Sequence, residues 1–253
     1  MPRRDDINSL YVTSIVLDKI CLACFILDCT LTVVLVFYDT YSQYITPILI
    51  VLAILYTILS LYDDGVAWYK AESARRTNSI QNAYGTQLSG LETNEYYNNN
   101  ENNPDIKYAL NVFESNYFTK RISEKMLLPT YIKAMVGILV LVVSCRVIKN
   151  DSLLLVIAQS VFSCYIVEEV VMLHIYTVRM SNLFEQAYKE LVTVGISYRN
   201  QVIELKSYCL EYESVKAHYK IRVNESLFNK MNTDLSREWE ALLNQIIIKK
   251  HIK

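Results

Sequence analysis

The sequence predicts an all-α fold: a polytopic membrane protein with four transmembrane helices in two hairpins and a cytosolic helical domain. Two observations predict this class. Four long apolar runs occur as two pairs, and the rest of the 253 residues is polar enough to hold the mean hydropathy at +0.17. Because a bilayer offers backbone amides no water, isolated apolar runs of about 20 residues can cross it only as helices.

The first transmembrane hairpin is predicted over residues 1–61, with apolar runs at Leu17–Tyr38 and Tyr44–Leu61. The first run exceeds the core of a signal peptide and no small-residue cleavage site follows it, so we expect an uncleaved anchor. Cys21 and Cys24 form a CxxC inside this run. Close helix packing explains this pair better than metal or redox chemistry, because no histidine or second CxxC accompanies it.

A cytosolic helical insert is predicted over residues 62–128. The second run is expected to continue as a helix to about Leu88, and Asn98–Pro104 is rich in residues that favour turns. A helix is expected to resume near Asp105 and to end near Pro129. Its apolar stripe has helical spacing and is formed by Ile106, Leu110, Phe113 and Tyr117.

The second transmembrane hairpin is predicted over residues 129–177, with runs at Thr130–Ile148 and Ser152–Tyr176, and a cytosolic helical tail over 178–253. Without a further proline, the fourth run is expected to continue as one long helix. A heptad seam follows, formed by Phe184, Ala187, Leu191, Val194, Tyr198, Gln201, Leu205, Tyr208 and Tyr212. The seam must bury against a partner subunit or against the insert helix, and heptads alone do not choose. Ser226–Ile248 is a second amphipathic stretch.

The distribution of basic residues predicts the orientation. The short loops within each hairpin are poor in lysine and arginine, whereas the N-terminus, the insert and the tail hold nearly all of them. Basic residues stay on the cytoplasmic side, so both termini and the insert are expected in the cytoplasm.

Polar residues inside the apolar runs indicate an ion path. A charge at mid-bilayer costs roughly 3 kcal/mol or more, so such residues usually face a bundle interior or water. Acidic rings line cation-selective pores. The candidate pore-lining residues are Asp28, Thr32, Gln159, Ser163 and Glu169. The alternative is that Asp28 is protonated or paired and that Glu169 lies near the headgroups.

The sequence carries no sign of an enzyme. The three histidines lie near no nucleophile and in no metal-ligand spacing, and a glycine-rich phosphate loop is missing from a chain with five glycines. We therefore expect no catalytic residues, no bound metal and no cofactor.

The order of parts resembles the SMODS-associating four-transmembrane effectors of bacterial nucleotide-signalled antiphage defence, in CBASS-like or Hailong-like systems. The most specific match lies within Ala74–Leu88. There Ile80, Gln81, Tyr84 and Leu88 fit the family's Ile-Gln-x-x-aromatic-Asp-x-x-Leu run, and Gly85 replaces its acidic residue. The resemblance implies a multi-pass protein of the bacterial inner membrane that arrests or kills phage-infected cells by compromising that membrane.

The resemblance also implies a nucleotide or oligonucleotide ligand made by a partner nucleotidyltransferase. A cyclic oligonucleotide would open the effector, whereas in Hailong-type systems a short DNA oligomer holds the channel shut. A nucleotide site needs cations for phosphates and flat side chains for bases. The candidates are Arg75, Arg76, Tyr84, Lys120, Arg121, Lys216, Lys220 and Arg222. Basic residues on cytoplasmic helices equally satisfy topology and solvation.

Three functional hypotheses follow. The leading one is a homo-oligomeric ion channel or membrane-permeabilising protein, expected to be a tetramer embedded in lipid. The second is a non-conducting membrane scaffold that recruits a cytosolic partner through its helical tail. A transporter is disfavoured, because the sequence lacks inverted repeats with broken helices.

Overall fold

The computed structural model describes residues 7–91, 97, 99–147, 166–192 and 198–251. Every regular element in these ranges is a helix, so the all-α prediction is confirmed for them. The chain forms two compact units. The first contains the described parts of residues 1–81, 85–96 and 137–164, and the second those of 82–84, 97–136 and 165–253.

The first unit is built on a helical hairpin. Helix α1 spans Asn8–Phe37, a 3-10 turn covers Asp39–Tyr41, and α2 spans Ser42–Tyr62. A π-helical turn at Asp63–Ala67 then joins α2 to α3, Trp68–Tyr84, without a break. Helix α3 ends at Gly85, whose φ of +64° lies in the left-handed region that only glycine adopts without strain.

Helix α4 spans Pro104–Val147, and its residues as far as Val136 belong to the second unit. The Oδ1 atom of Asn103 accepts hydrogen bonds from the amides of Asp105 (3.1 Å) and Ile106 (3.2 Å), and this cap explains why the helix begins here. The expected end near Pro129 is wrong, because α4 continues through that proline. Thr130 follows it, and the hydroxyl of Thr130 donates to the carbonyl of Met126 at 2.8 Å.

The rest of the second unit is three helices: α5, Ile166–Val192; α6, Tyr198–Tyr219; and α7, Glu225–His251. The expectation of one long helix after the fourth run is wrong, since α5 and α6 lie side by side as an antiparallel pair. The Gln201 amide donates to the carbonyl of Glu190 at 3.1 Å, and Arg179 Nε donates to the Tyr219 hydroxyl at 3.0 Å. The seam residues keep their 3-4 spacing on α5 and on α6, so the apolar side chains of each helix face the other helix.

The core of the second unit lies among α4, α5, α6 and α7. Phe113 is fully buried and stacks on Phe184 with ring centroids 5.1 Å apart, and the Trp239 ring lies 5.5 Å from it. Other fully buried large side chains are Ile122, Leu173, Tyr176, Met180, Leu205, Tyr208, Tyr212 and Leu235. Of the two alternatives for the seam, burial against the insert helix is therefore the one found at Phe184 and Tyr208.

A buried amide ties three helices of this core together. Asn116 on α4 is fully buried. When the side-chain oxygen of Asn116 faces the donors, it accepts hydrogen bonds from the backbone amide of Phe184 (3.1 Å) and the hydroxyl of Tyr208 (3.2 Å). The side-chain nitrogen then donates to the Met180 carbonyl (3.2 Å). These three hydrogen bonds inside an apolar core all run to α5 and α6.

Two helical stretches within the described residues are long and apolar enough to cross a membrane, Asn8–Leu35 and Ser42–Tyr84. The first covers the predicted span Leu17–Tyr38 as far as Leu35, and the second contains the predicted span Tyr44–Leu61. The third predicted run is helical as far as Val147, as the last part of α4. Residues 152–165 of the fourth run lie outside the described residues.

Candidate functional site

Asp28 lies in the middle of α1 and is half-buried. Cys24, four residues earlier, is buried, and Thr32, four residues later, is half-buried, so the three lie on one side of the helix. The Thr32 hydroxyl donates to the backbone carbonyl of Asp28 at 2.8 Å. The structure therefore places these two predicted pore residues one turn apart, with the hydroxyl bonded to its own helix rather than to the carboxylate.

An open apolar groove of about 350 Å³ runs along α1 next to this position. Its described lining is Val16, Lys19, Ile20, Ala23, Cys24 and Leu27. Lys19 supplies the one charge among these residues, so the groove presents an apolar surface with a cation near the beginning of the helix.

Glu169 on α5 is the other predicted pore residue that the structure describes. Its carboxylate forms an ion pair with Lys133 on α4, and both side chains are substantially exposed. A hydrogen bond of 2.6 Å joins the Tyr131 hydroxyl to His174 Nδ1 on the same two helices. Lys133 was not recognised in the sequence, although its position inside an apolar run was a signal. The remaining two candidates, Gln159 and Ser163, lie outside the described residues.

Arg75 is one of the predicted phosphate-binding cations, and the structure places it in a buried ion pair. Its Nε donates to Glu72 Oε2 at 2.8 Å, and both side chains are less than 10% exposed. The other carboxylate oxygen of Glu72 accepts from the Tyr11 hydroxyl at 2.7 Å, and the Tyr11 ring meets Trp68 edge-on. Glu72 therefore ties α3 to the beginning of α1 and has Arg75 as its cation, while the neighbouring Arg76 is half-buried.

Lys120 and Arg121, also predicted to bind phosphate, contact the aromatic core of the second unit. The Lys120 ammonium lies 4.3 Å from the centre of the Phe184 ring and 3.7 Å from Glu185. Arg121 pairs with Glu238 on α7 at 3.1 Å. Both cations thus have an acidic partner.

Glu238 also accepts a hydrogen bond from the Tyr117 hydroxyl. Burial, followed by this bond, raises the pKa of Tyr117 well above its usual range. Neither Glu238 nor its neighbour Trp239 was singled out from the sequence; the amphipathic pattern of Ser226–Ile248 was the only signal.

Tyr84 is exposed, and its hydroxyl donates to Asp105, which also pairs with Lys206 at 3.2 Å. This hydrogen bond, with burial second, raises the pKa of Tyr84 to about 12. The same bond lowers the pKa of Asp105, against the opposing effect of its burial.

The remaining candidates lie at the end of α6 and just beyond it. Lys216 is buried, Lys220 is exposed with a φ of +49°, and Arg222 is half-buried. The eight predicted nucleotide-binding residues are therefore distributed over both units.

Among the described residues, no group of three or more histidine, cysteine or acidic side chains could hold a metal ion. Cys21 and Cys24 are buried free thiols. No family model matches the sequence, and neither a curated protein nor a solved structure matches it.

Proposed function

We propose that this protein is an oligomeric membrane effector: a nucleotide-controlled ion channel or permeabilising protein of the bacterial inner membrane. It crosses the membrane four times, has both termini in the cytoplasm, and arrests or kills phage-infected cells. The proposed subunit number is four. A nucleotide or oligonucleotide made by a partner nucleotidyltransferase controls it.

One observation carries the proposal. The two longest apolar helical stretches of the first unit leave most of their side chains uncovered by the chain, and α2 has no buried residue at all. Asp28 lies on α1 between apolar turns. Lipid can cover apolar side chains, but a carboxylate at this depth needs water or another polar group. Several copies that place Asp28 around one axis would supply both water and a cation-attracting ring.

The proposed ligand is anionic, and the cations of the cytosolic helices support this. Arg76, Lys220 and Arg222 retain some solvent exposure, whereas Arg75 and Lys216 are buried. The exposed ring of Tyr84 offers a flat surface for a base.

Ion flux across liposomes tests the channel. The purified protein is reconstituted and a potassium-sensitive readout is recorded without ligand, with synthetic cyclic oligonucleotides, and with a short single-stranded DNA oligomer. We expect flux in at least one condition, and we expect Asp28→Asn to reduce it several-fold while assembly is kept. The exchange retains side-chain size and removes only the charge.

Asp64→Asn is the matched control, because it removes an exposed acidic charge from the same unit. We expect it to leave flux unchanged. Equal flux in wild type and Asp28→Asn would remove Asp28 from the path. No flux in any of the three conditions would reject the channel.

Mass measurement in nanodiscs tests the assembly. Each chain has a mass of 29.4 kDa, and we expect four copies per particle. A particle that contains a single chain would rule out a shared pore.

A non-conducting scaffold is the second candidate, and one feature of α6 favours it. Ile203 is 56% exposed and Leu210 is 73% exposed, and the two are seven residues apart on one side of the helix. Such a stripe could bind a cytosolic partner. If the scaffold is correct, the wild type gives no liposome flux, and Ile203→Ser with Leu210→Ser abolishes toxicity in cells.

A further inference from the structure

The ion pair between Lys133 on α4 and Glu169 on α5 is exposed, although it lies in an apolar part of both helices. Both residues lie within apolar runs, yet the side chains are 53% and 40% exposed. Their helix surfaces are apolar, and the exposed neighbours are Ile132, Met135, Val136, Val171, Met172 and Ile175. A pair of opposite charges therefore lies on a largely apolar surface of α4 and α5, which also carries the exposed hydrogen bond between Tyr131 and His174.

The pair is held in place by its helices. The Tyr131–His174 hydrogen bond joins the same two helices two residues from Lys133 and five from Glu169. Close to His174 along α5, Leu173 and Tyr176 are buried in the core of the second unit. The two charges thus sit on a packed helix pair and not on loops, which fixes their separation.

We infer that the Lys133–Glu169 pair lines the ion path and sets its charge selectivity, with Lys133 offsetting the field of Glu169. This inference rests on the proposed function. Hydrocarbon would leave both charges without hydration, which is unfavourable even for a pair. Water in a shared path would hydrate them. Because the two charges cancel when paired, the loss of either one leaves a net charge of opposite sign facing the ions.

Reversal potentials across a potassium chloride gradient test this inference. The full-length protein is studied in bilayers under the condition that gives current. We expect Lys133→Gln to raise the ratio of potassium to chloride permeability several-fold, and Glu169→Gln to lower it several-fold. The exchange variant, Lys133→Glu with Glu169→Lys, restores the pair and should return the reversal potential to the wild-type value.

Lys125→Gln is the matched control, since it removes an exposed lysine from α4 before the apolar run begins. It should leave the reversal potential unchanged. If the pair only stabilises the fold, both single variants should lose assembled protein. The channels that still assemble should then have the ion selectivity of the wild type. That result would overturn the inference.

The two proposals fail in different ways. If wild type gives no current in any condition, the channel itself is wrong. If wild type conducts and both single variants keep its reversal potential, only the inference about the pair is wrong. Mass measurement in nanodiscs shows whether each variant assembles. If one single variant does not assemble, the sign of the change in reversal potential of the other decides.

Discussion

Helix α2 and the helices of the second unit differ in where their apolar side chains lie. No residue of α2 is buried, and Ile54, Ile58 and Leu61 are more than half exposed. In the second unit, Phe113 and Met180 have no exposed surface. A soluble surface rarely shows a large continuous apolar patch. The second unit thus completes its own core, whereas α2 leaves its apolar surface uncovered and is long and apolar enough to cross a membrane.

The largest expected effect tests this difference with the same substitution in the second unit and on α1, which forms the hairpin with α2. Phe113→Ala removes a ring packed against Phe184 and Trp239, and we expect it to lower the free energy of unfolding by about 3–5 kcal/mol. Phe37→Ala removes a ring that is 68% exposed, and we expect a change below about 0.5 kcal/mol. Denaturant unfolding in detergent, followed by tryptophan fluorescence, measures both. Equal losses of unfolding free energy in the two variants would contradict this difference in burial.

The first unit buries the ion pair between Arg75 and Glu72, and breaking this pair should have the next largest effect. Arg75→Gln leaves Glu72 buried with the Tyr11 hydroxyl but without its cation. We expect a loss of about 3 kcal/mol, because an uncompensated buried charge is strongly destabilising. Thermal unfolding with Arg76→Gln as control measures this. If Arg75→Gln instead kept wild-type stability and lost only a response to nucleotides, a ligand-binding role would replace the structural one.

A smaller effect concerns the hydrogen bonds inside the second unit. Asn116→Leu removes the amide that contacts α5 and α6, and the Tyr208 hydroxyl then remains buried with one partner fewer. We expect a loss of about 1–3 kcal/mol. Asn200→Leu, at an exposed position of α6, is the control and should change stability little. A neutral or stabilising Asn116→Leu would mean that apolar packing alone maintains this core.

The smallest effect is a pH dependence on the surface of the second unit. The folded pKa of Asp105 is lowered, so its ionised form stabilises the protein above the unfolded value of about 3.9, and this stabilisation is lost as the pH falls below that value. The pKa of Tyr84 is raised to about 12, so its contribution is present below about pH 10 and is lost as the pH rises through 12.

Tyr84→Phe should therefore flatten both ends of the stability profile, by about 1 kcal/mol or less because the contact is exposed. Tyr69→Phe, at a tyrosine that is 62% exposed, is the control. Unfolding measured from pH 3 to pH 12 gives the profile. A wild-type profile that Tyr84→Phe leaves unchanged at both ends would show that this contact is not maintained in solution.

Part of the candidate site could be predicted from the sequence and part could not. Asp28 and Glu169 can be recognised from the sequence alone, because a charged residue inside an apolar run is unusual. The partner of Glu169 was missed, because Lys133 is 36 residues away and only the packing of α4 on α5 brings them together. Arg75 was assigned to a phosphate site for a different reason. Its partner Glu72 is only three residues away on α3, but the sequence does not show that the pair is buried and that Tyr11 of α1 bonds to Glu72.

The sequence by itself determined the helical class, the apolar runs and the start of α4, because these depend on local preferences. Asn103 and Pro104 mark that start through a cap and a fixed backbone angle. Only the tertiary structure decided that α4 passes through Pro129 and that α5 and α6 fold back on each other. The 3-4 spacing of the seam is the same for one long helix and for two halves that pack together. The choice between them depends on which arrangement buries more apolar surface, and that is a property of contacts distant in the chain.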